Sequence, residues 1–231
     1  MNLIKSTGTF SFFTLISRIL GYCRDLLIAI YLGSGPIADA FFVAFKIPHT
    51  FRRLFSEGTF NAAFVPSYSS ELLAGKKKSQ LFANKIFNLL LISLFLIVLI
   101  IEIFMPSFVF VIAPGFKENS DKLDLTILLT RITFPFLLFI CISSFFSAIL
   151  NSHNKFAAAA AVPIILNIFL ILTLLFQSYL NDHLVFYLSY AVTLAGLVQL
   201  VLLFFFVKKY FSPKITLSFK IEKNVKLFFK K

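Results

Sequence analysis

The chain alternates between long apolar runs and short polar stretches. A hydrocarbon core of about 30 Å requires about 20 apolar residues in a helix. Six runs approach or exceed that length, and the second has an amphipathic continuation to about residue 73. The predicted helices cover residues 10–32, 37–55, 86–112, 125–150, 156–176 and 184–207. This pattern predicts an all-α polytopic membrane protein: a six-transmembrane-helix bundle over residues 1–207, followed by a basic segment over 208–231.

Two prolines lie inside predicted spans, Pro135 in the fourth and Pro163 in the fifth. A proline frees a backbone carbonyl and bends its helix, which a membrane tolerates where neighbouring helices cover the gap. We therefore expect kinks at both positions.

Composition supports the membrane assignment. Of the 231 residues, 59% are hydrophobic and 14% are charged, whereas soluble domains have about 25% charged residues. The net charge of +12 could indicate nucleic-acid binding. The lysines and arginines, however, cluster between and beyond the apolar runs, which is typical of membrane topology rather than of a nucleic-acid interface.

Positive charge alternates from one loop to the next. The connection after the second span carries Arg52, Arg53 and four lysines over residues 76–85, whereas residues 178–183 carry none. The tail over 208–231 carries eight lysines. This alternation predicts six spans with both termini in the cytoplasm. The tail itself is predicted to lie at the membrane surface, held by anionic lipids.

Charged residues inside the first span are the candidate functional residues. An arginine at the bilayer centre is costly and usually faces a bundle interior or a wet cavity. Arg18 and Asp25 are seven residues apart and share a helix face within about 20°, which predicts an ion pair. Arg24 lies about 120° from Arg18 and is expected to be left without that partner. Gly21 offers a bend that would bring both arginines into one cavity.

The second span repeats this theme. Asp39, Lys46, Arg53 and Glu57 follow at spacings of seven, seven and four and share one face if the helix continues past Pro48. We therefore expect Asp39 to contact Lys46. Arg52 and Arg53 also suit the simpler role of anchors at the cytoplasmic surface.

Arginine binds phosphate well because its planar fork donates two parallel hydrogen bonds. Several arginines facing one cavity therefore favour a diphosphate ligand. Asn167 and Gln199, two amides inside later spans, are expected to hydrogen-bond between helices rather than to bind a ligand.

Residues 15–70 resemble the amino-terminal signature of a known family. The stretches that carry the resemblance are SRILGYCRD, ADAFFVAFKIP, RRLFSEGTF and AFVPSYS. They are similar to the MurJ/MviN family of lipid II flippases, within the multidrug/oligosaccharidyl-lipid/polysaccharide exporter superfamily. His49 departs from the family pattern, in which an amide residue is expected.

The resemblance implies one lobe of a two-lobe exporter in the bacterial cytoplasmic (inner) membrane. Such a protein moves the undecaprenyl-diphosphate-linked peptidoglycan precursor to the periplasmic leaflet by alternating access. Arg18, Arg24 and Arg52 would line the cationic cavity and hold the diphosphate. The charge partners or gate residues implied by the resemblance are Asp25, Asp39, Arg53 and Glu57.

The resemblance covers only the first lobe. The second lobe would follow on a longer chain, come from another polypeptide, or be a second copy. No cofactor, metal or nucleic acid is predicted, and coupling to an ion or to the membrane potential stays open. Three alternatives remain: an exporter of another polyprenyl-linked glycan or of a drug, an enzyme acting on lipid-linked sugars, and a non-transporting scaffold or remnant. The enzyme is disfavoured because the sequence shows neither paired catalytic carboxylates nor a His/Cys cluster.

Overall fold

The computed structural model describes residues 3–52, 59–180 and 183–215, except for the side chains of residues 3–7, 52, 59 and 180. Helices make up almost all of this part of the chain. In order they are α1 (Leu3–Leu32), α2 (Pro36–Arg52), α3 (Thr59–Leu73), α4 (Lys76–Ile103), α5 (Met105–Ile112), a 3₁₀ turn (Pro114–Phe116), α6 (Ser120–Thr133), α7 (Phe136–Ser152), α8 (Phe156–Leu175), α9 (Gln177–Leu180) and α10 (Leu184–Val207).

Four helical segments of the described chain are long and apolar enough to cross a membrane. They are Lys76–Ile103, Ser120–Ser152, Phe156–Leu175 and Leu184–Val207. The all-α membrane architecture is therefore confirmed, whereas the count of six spans stays a prediction. The charged α1 still forms one continuous helix of 30 residues, about 45 Å long, and it passes through Gly21 without a break.

Helices α7 and α10 form the centre of the bundle. Helix α7 packs against α2, α3, α4, α8 and α10, and α10 also contacts α2, α6 and α8. A Cβ atom added at Gly196 of α10 would lie 2.5 Å from Cδ2 of Phe136 on α7. Glycine is therefore required there for these two helices to approach each other, as is common where membrane helices pack closely.

Pro135 interrupts the hydrogen bonding of the predicted fourth span, although Phe134 and Pro135 keep right-handed helical dihedrals. Helix α6 ends at Thr133 and α7 begins at Phe136, because proline cannot supply a backbone N–H to the preceding turn. The Thr193 hydroxyl of α10 donates to the carbonyl of Ile132 at this break. A side chain from a neighbouring helix thus satisfies backbone that the break exposes. Pro163, in contrast, lies within the continuous α8.

Helix α4 begins ten residues before the predicted start at residue 86. Its first turns are polar on one side, but Ser79, Phe82, Ala83 and Phe87 are buried, so packing extends the helix beyond the apolar run. The polar side is covered by residues 210–214, part of the segment predicted to lie on lipid. Residues 216–231 of that segment lie outside the described residues.

Helix α1 packs along α8 and leaves its opposite side exposed. Large apolar side chains are half or more exposed at six described positions: Phe12, Leu15, Ile19, Tyr22, Leu26 and Ile30. Their spacings of three, four, three, four and four place them on one stripe of the helix. This stripe is suited to lipid or to a further helical partner.

Candidate functional site

A cavity of about 310 Å³ lies between α1, α2, α7, α8 and α10. Its walls include Phe45, Phe136, Ile140 and Leu166, and its polar lining comes mainly from α1, α2, α8 and α10. The polar lining residues are Ser17, Arg18, Arg24, His49, Asn167 and Gln199. Arg18 and Arg24 thus share one cavity, as predicted, although α1 needs no bend at Gly21 to place them there.

Arg24 is held by three different groups. Its Nε and Nη2 donate to Asp25 Oδ1 at 2.9 and 2.7 Å, and its Nη1 donates to Asn167 Oδ1 at 2.9 Å. The guanidinium carbon lies 5.4 Å from the centre of the Phe45 ring, within the range of a cation–π contact. With 16% of its side chain exposed, Arg24 is fixed in position at the cavity wall.

The prediction that Asp25 pairs with Arg18 and leaves Arg24 without a partner is wrong. Seven residues bring two side chains to one helix face but also separate them by about 10.5 Å along the axis. Direct side-chain contacts on a helix form at spacings of three and four. Asp25 instead binds the adjacent Arg24, a less common spacing that the length of the arginine side chain allows.

Of the two cavity arginines, Arg18 is the one that has no compensating carboxylate among the described residues. It is exposed, lines the cavity, and makes no ion pair or side-chain hydrogen bond with any residue that the structure describes. Its fork of N–H donors is therefore free to bind an anion that enters the cavity.

The cavity wall has two further polar side chains, Gln199 and His49, neither of which was predicted to bind a ligand. Gln199 is 1% exposed; its Nε2 donates to the Val162 carbonyl at 2.9 Å, while its Oε1 accepts no hydrogen bond from the described chain. His49 lies between two aromatic rings, with centroid distances of 4.5 Å to Phe45 and 5.2 Å to Phe136. The cavity therefore offers an acceptor as well as the donors of Arg18.

Asn167 links the cavity to the packing of α1 on α8. While its Oδ1 accepts from Arg24, its Nδ2 donates to the Ser17 carbonyl at 2.9 Å. The predicted interhelical hydrogen bonding of Asn167 is thus confirmed, but the contact of the same side chain with Arg24 was not predicted. A buried amide in an apolar helix signals that a partner exists; it does not identify the partner, which lies 143 residues away.

Asp39 lies apart from this group. Its Oδ2 accepts from Lys122 Nζ of α6 at 2.6 Å, and Lys122 also stands 3.9 Å from the centre of the Phe116 ring. The expected contact with Lys46 is therefore wrong, again because seven residues span two helical turns. Asp39 is absent from the described lining of the cavity.

The remaining predicted site residues are not placed by the structure. Arg52 is the last residue of α2, but its side chain lies outside the described residues. Arg53 and Glu57 both belong to residues 53–58, which are also outside them. Their assignment to the cavity and to a cytoplasmic gate stays a prediction.

Metal chemistry has no candidate donor set in the described ranges. No group of three or more His, Cys, Asp or Glu residues there is close enough to hold an ion. Cys23 is exposed and Cys141 is buried, and neither forms a disulfide within the described residues.

Known proteins match most of the chain. The curated relatives include a probable lipid II flippase MurJ of Rickettsia prowazekii (strain Madrid E), 40% identical over 90% of this chain and 41% of the relative. Another, from Rhizobium tropici, is 42% identical over 88% of this chain and 39% of the relative. The chain thus spans about two fifths of the length of these proteins.

A solved structure agrees with these relatives. A lipid II flippase MurJ in an inward closed conformation superimposes with a TM-score of 0.75 and 29% identity, over 96% of this chain and 46% of that one. The family model described as lipid II flippase MurJ matches residues 28–231. The chain therefore belongs to the MurJ lipid II flippase family.

Proposed function

We propose that this chain is the first lobe of a lipid II flippase in the bacterial cytoplasmic membrane. In this proposal it has six spans with both termini in the cytoplasm. Together with a second lobe it moves the undecaprenyl-diphosphate-linked peptidoglycan precursor to the periplasmic leaflet by alternating access. The observation that carries the proposal is the placing of Arg18 and Arg24 on one cavity inside an apolar helical bundle.

The two arginines have different roles in this proposal. Arg24 is fixed by Asp25 and Asn167 and provides a positioned positive charge. Arg18 has its donors free among the described residues and would bind a phosphate oxygen directly. Arg52 would add charge from the end of α2. The buried Oε1 of Gln199 would accept a hydrogen bond from a hydroxyl or water that accompanies the ligand.

The size of the cavity supports a diphosphate as the group that this lobe binds. Ligand pockets range from about 300 to 1,000 Å³, so a cavity of about 310 Å³ lies at the lower end. It suits a diphosphate but is too small for a disaccharide-peptide. The rest of the headgroup would then lie against a second lobe, supplied by a longer chain, another polypeptide or a second copy.

A hybrid protein tests this function. The chain would replace the matched 41% of the Rickettsia prowazekii relative, and the hybrid would be expressed in bacteria depleted of their own flippase. We expect growth and lipid II translocation with the parent hybrid. Arg18→Ala and Arg24→Ala should abolish both at unchanged membrane abundance, because each removes charge-assisted hydrogen bonds worth about 1.5–3 kcal/mol.

Lys46→Ala is the matched control. Lys46 is another cation within a predicted span, but it is exposed and lies outside the cavity lining, so its loss should leave translocation intact. Full translocation by the Arg24→Ala hybrid would contradict the cavity assignment. Failure of the parent hybrid, despite normal expression and folding, would contradict the proposed function itself.

A further inference from the structure

Three side-chain amides form a regular row on α4 at positions four residues apart: Gln80, Asn84 and Asn88. Four residues of α-helix rise about 6 Å along its axis, and two residues of extended chain span about 6.6 Å. A row of amides on successive turns therefore matches every second residue of an extended segment laid along the helix.

Residues 210–214 occupy this row through their backbone. Nε2 of Gln80 donates to the Tyr210 carbonyl at 2.6 Å, Nδ2 of Asn84 to the Ser212 carbonyl at 3.4 Å, and Nδ2 of Asn88 to the Lys214 carbonyl at 2.9 Å. In return, the Ser212 N–H donates to Gln80 Oε1 at 3.3 Å and the Lys214 N–H to Asn84 Oδ1 at 2.6 Å.

The sequence of the segment fits this use of alternate residues. Pro213, which has no N–H, falls between the two donating positions, and it restricts Ser212 to extended backbone. Phe211 turns into the core, where it is fully buried with its ring centroid 5.7 Å from that of Phe145. The Tyr210 ring stacks on His153 at the end of α7, with centroids 4.5 Å apart.

We propose that this amide row on α4 is a docking surface for extended backbone, and that its occupant is the segment of this chain that follows α10. The docked segment joins α4, α7 and α10 into one body. A force on the chain at Lys214 would therefore act on α4 as well as on α10. Because the amides bind main-chain groups, docking depends on backbone N–H groups rather than on the side chains of Ser212 and Lys214.

Hydrogen exchange on the purified full chain tests the proposal. The Ser212 and Lys214 amides should be protected in the parent, and Asn84→Leu should lower the protection of Lys214 about tenfold, because its amide loses its acceptor. Ser93→Ala provides the control on the same helix, since the Ser93 hydroxyl donates to the Leu90 carbonyl of α4 itself and to no other described residue. Its exchange pattern should match the parent.

A second pair of variants separates the contribution of the Lys214 backbone N–H from that of the Lys214 side chain. Lys214→Pro removes one N–H donor, whereas Lys214→Ala keeps it. Spin labels at Leu81 and Ile215, both exposed, would report the docked distance in a background in which Cys23, the exposed native thiol, is replaced by alanine. We expect a single narrow distance distribution in the parent and in Lys214→Ala, and a broad one in Lys214→Pro and Asn84→Leu.

Each outcome decides the question. A narrow distribution in all four proteins would overturn the role of the amide row, and a broad one in the parent would overturn docking itself. Equal broadening in Lys214→Ala and Lys214→Pro would show that the lysine side chain, and not the backbone, holds the segment. Unchanged thermal unfolding of the variants ensures that the comparison concerns the segment and not the whole bundle.

Discussion

Replacing Asn167 with leucine should displace Arg24 from the cavity wall. Leucine has a similar size but no polar atoms, so Asn167→Leu removes the acceptor for Arg24 Nη1 and the donor to the Ser17 carbonyl. Arg24 would keep its bonds to Asp25 and could turn with that carboxylate towards solvent, because 63% of the Asp25 side chain is exposed.

The free energy lost in Asn167→Leu follows from the two hydrogen bonds that the substitution removes. Hydrogen bonds between helices in membranes average about 0.6 kcal/mol and reach about 1.7 kcal/mol, and the bond to the charged Arg24 belongs at the upper end. Their combined loss is about 2 kcal/mol, a factor of about 30 in the equilibrium that holds α1 and Arg24 against α8. We therefore expect a loss of translocation of at least tenfold.

The assay is translocation by the hybrid protein, with unfolding followed on the same samples. Asn167→Asp retains an acceptor for Arg24 and should retain more translocation than Asn167→Leu. Ile168→Ala, at a neighbouring exposed position of α8, is the control and should behave as the parent.

A double variant separates positioning from stability. If Asn167 acts through Arg24, adding Asn167→Leu to Arg24→Ala should cause little further loss of affinity for a diphosphate lipid, because both changes remove the same contact. Fully additive losses would refute the positioning role. So would parental translocation by Asn167→Leu alone.

Three other changes test the packing and charge assignments. Gly196→Val should destabilise the bundle by about 1–3 kcal/mol, seen as a lower unfolding temperature, because its side chain would overlap Phe136; an unchanged temperature would contradict the close approach of α7 and α10. Burial lowers the pKa of His153 in the folded protein, because it disfavours the charged imidazolium. The neutral ring therefore stabilises the fold fully above the ordinary pKa of about 6.5, and this stabilisation is lost as the pH falls below that value. The unfolding temperature should fall between pH 7.5 and 5.5, and it should fall less in His153→Phe. A double-mutant cycle on Asp39 and Lys122 should give a coupling of at most about 1 kcal/mol, because the carboxylate is 55% exposed; a much larger value would show that the pair is shielded from water.

The helical architecture was predictable because it depends on the length of apolar runs, which a sequence displays directly. The shared cavity of Arg18 and Arg24 was predictable for a related reason, since charges at membrane depth must face a polar space. The groups that pair with these charged residues were not predictable from the sequence. The helical angles that suggested Arg18–Asp25 and Asp39–Lys46 omit the axial rise, which places residues seven apart beyond direct reach.

The sequence pattern also could not predict contacts between residues far apart in the chain. Lys122 is 83 residues from Asp39, and only the packing of α2 on α6 brings them together. The early start of α4 has the same origin, because its polar turns are satisfied by backbone more than 120 residues later. A local pattern shows that such turns are polar, but not what covers them.

The charge balance of the cavity indicates how much positive charge diphosphate binding requires. Asp25 compensates Arg24 at hydrogen-bond distance, so Arg18 carries the uncompensated positive charge among the described lining residues. A diphosphate brings more than one negative charge, which a single guanidinium cannot balance in a low-dielectric bundle. We infer that diphosphate binding needs added positive charge from Arg52 or from a second lobe. The lobe alone should then bind a diphosphate lipid more weakly than the complete hybrid, and Arg18→Ala should lower the affinity of both. Equal affinities of the lobe and the hybrid would show that this cavity is already a complete site.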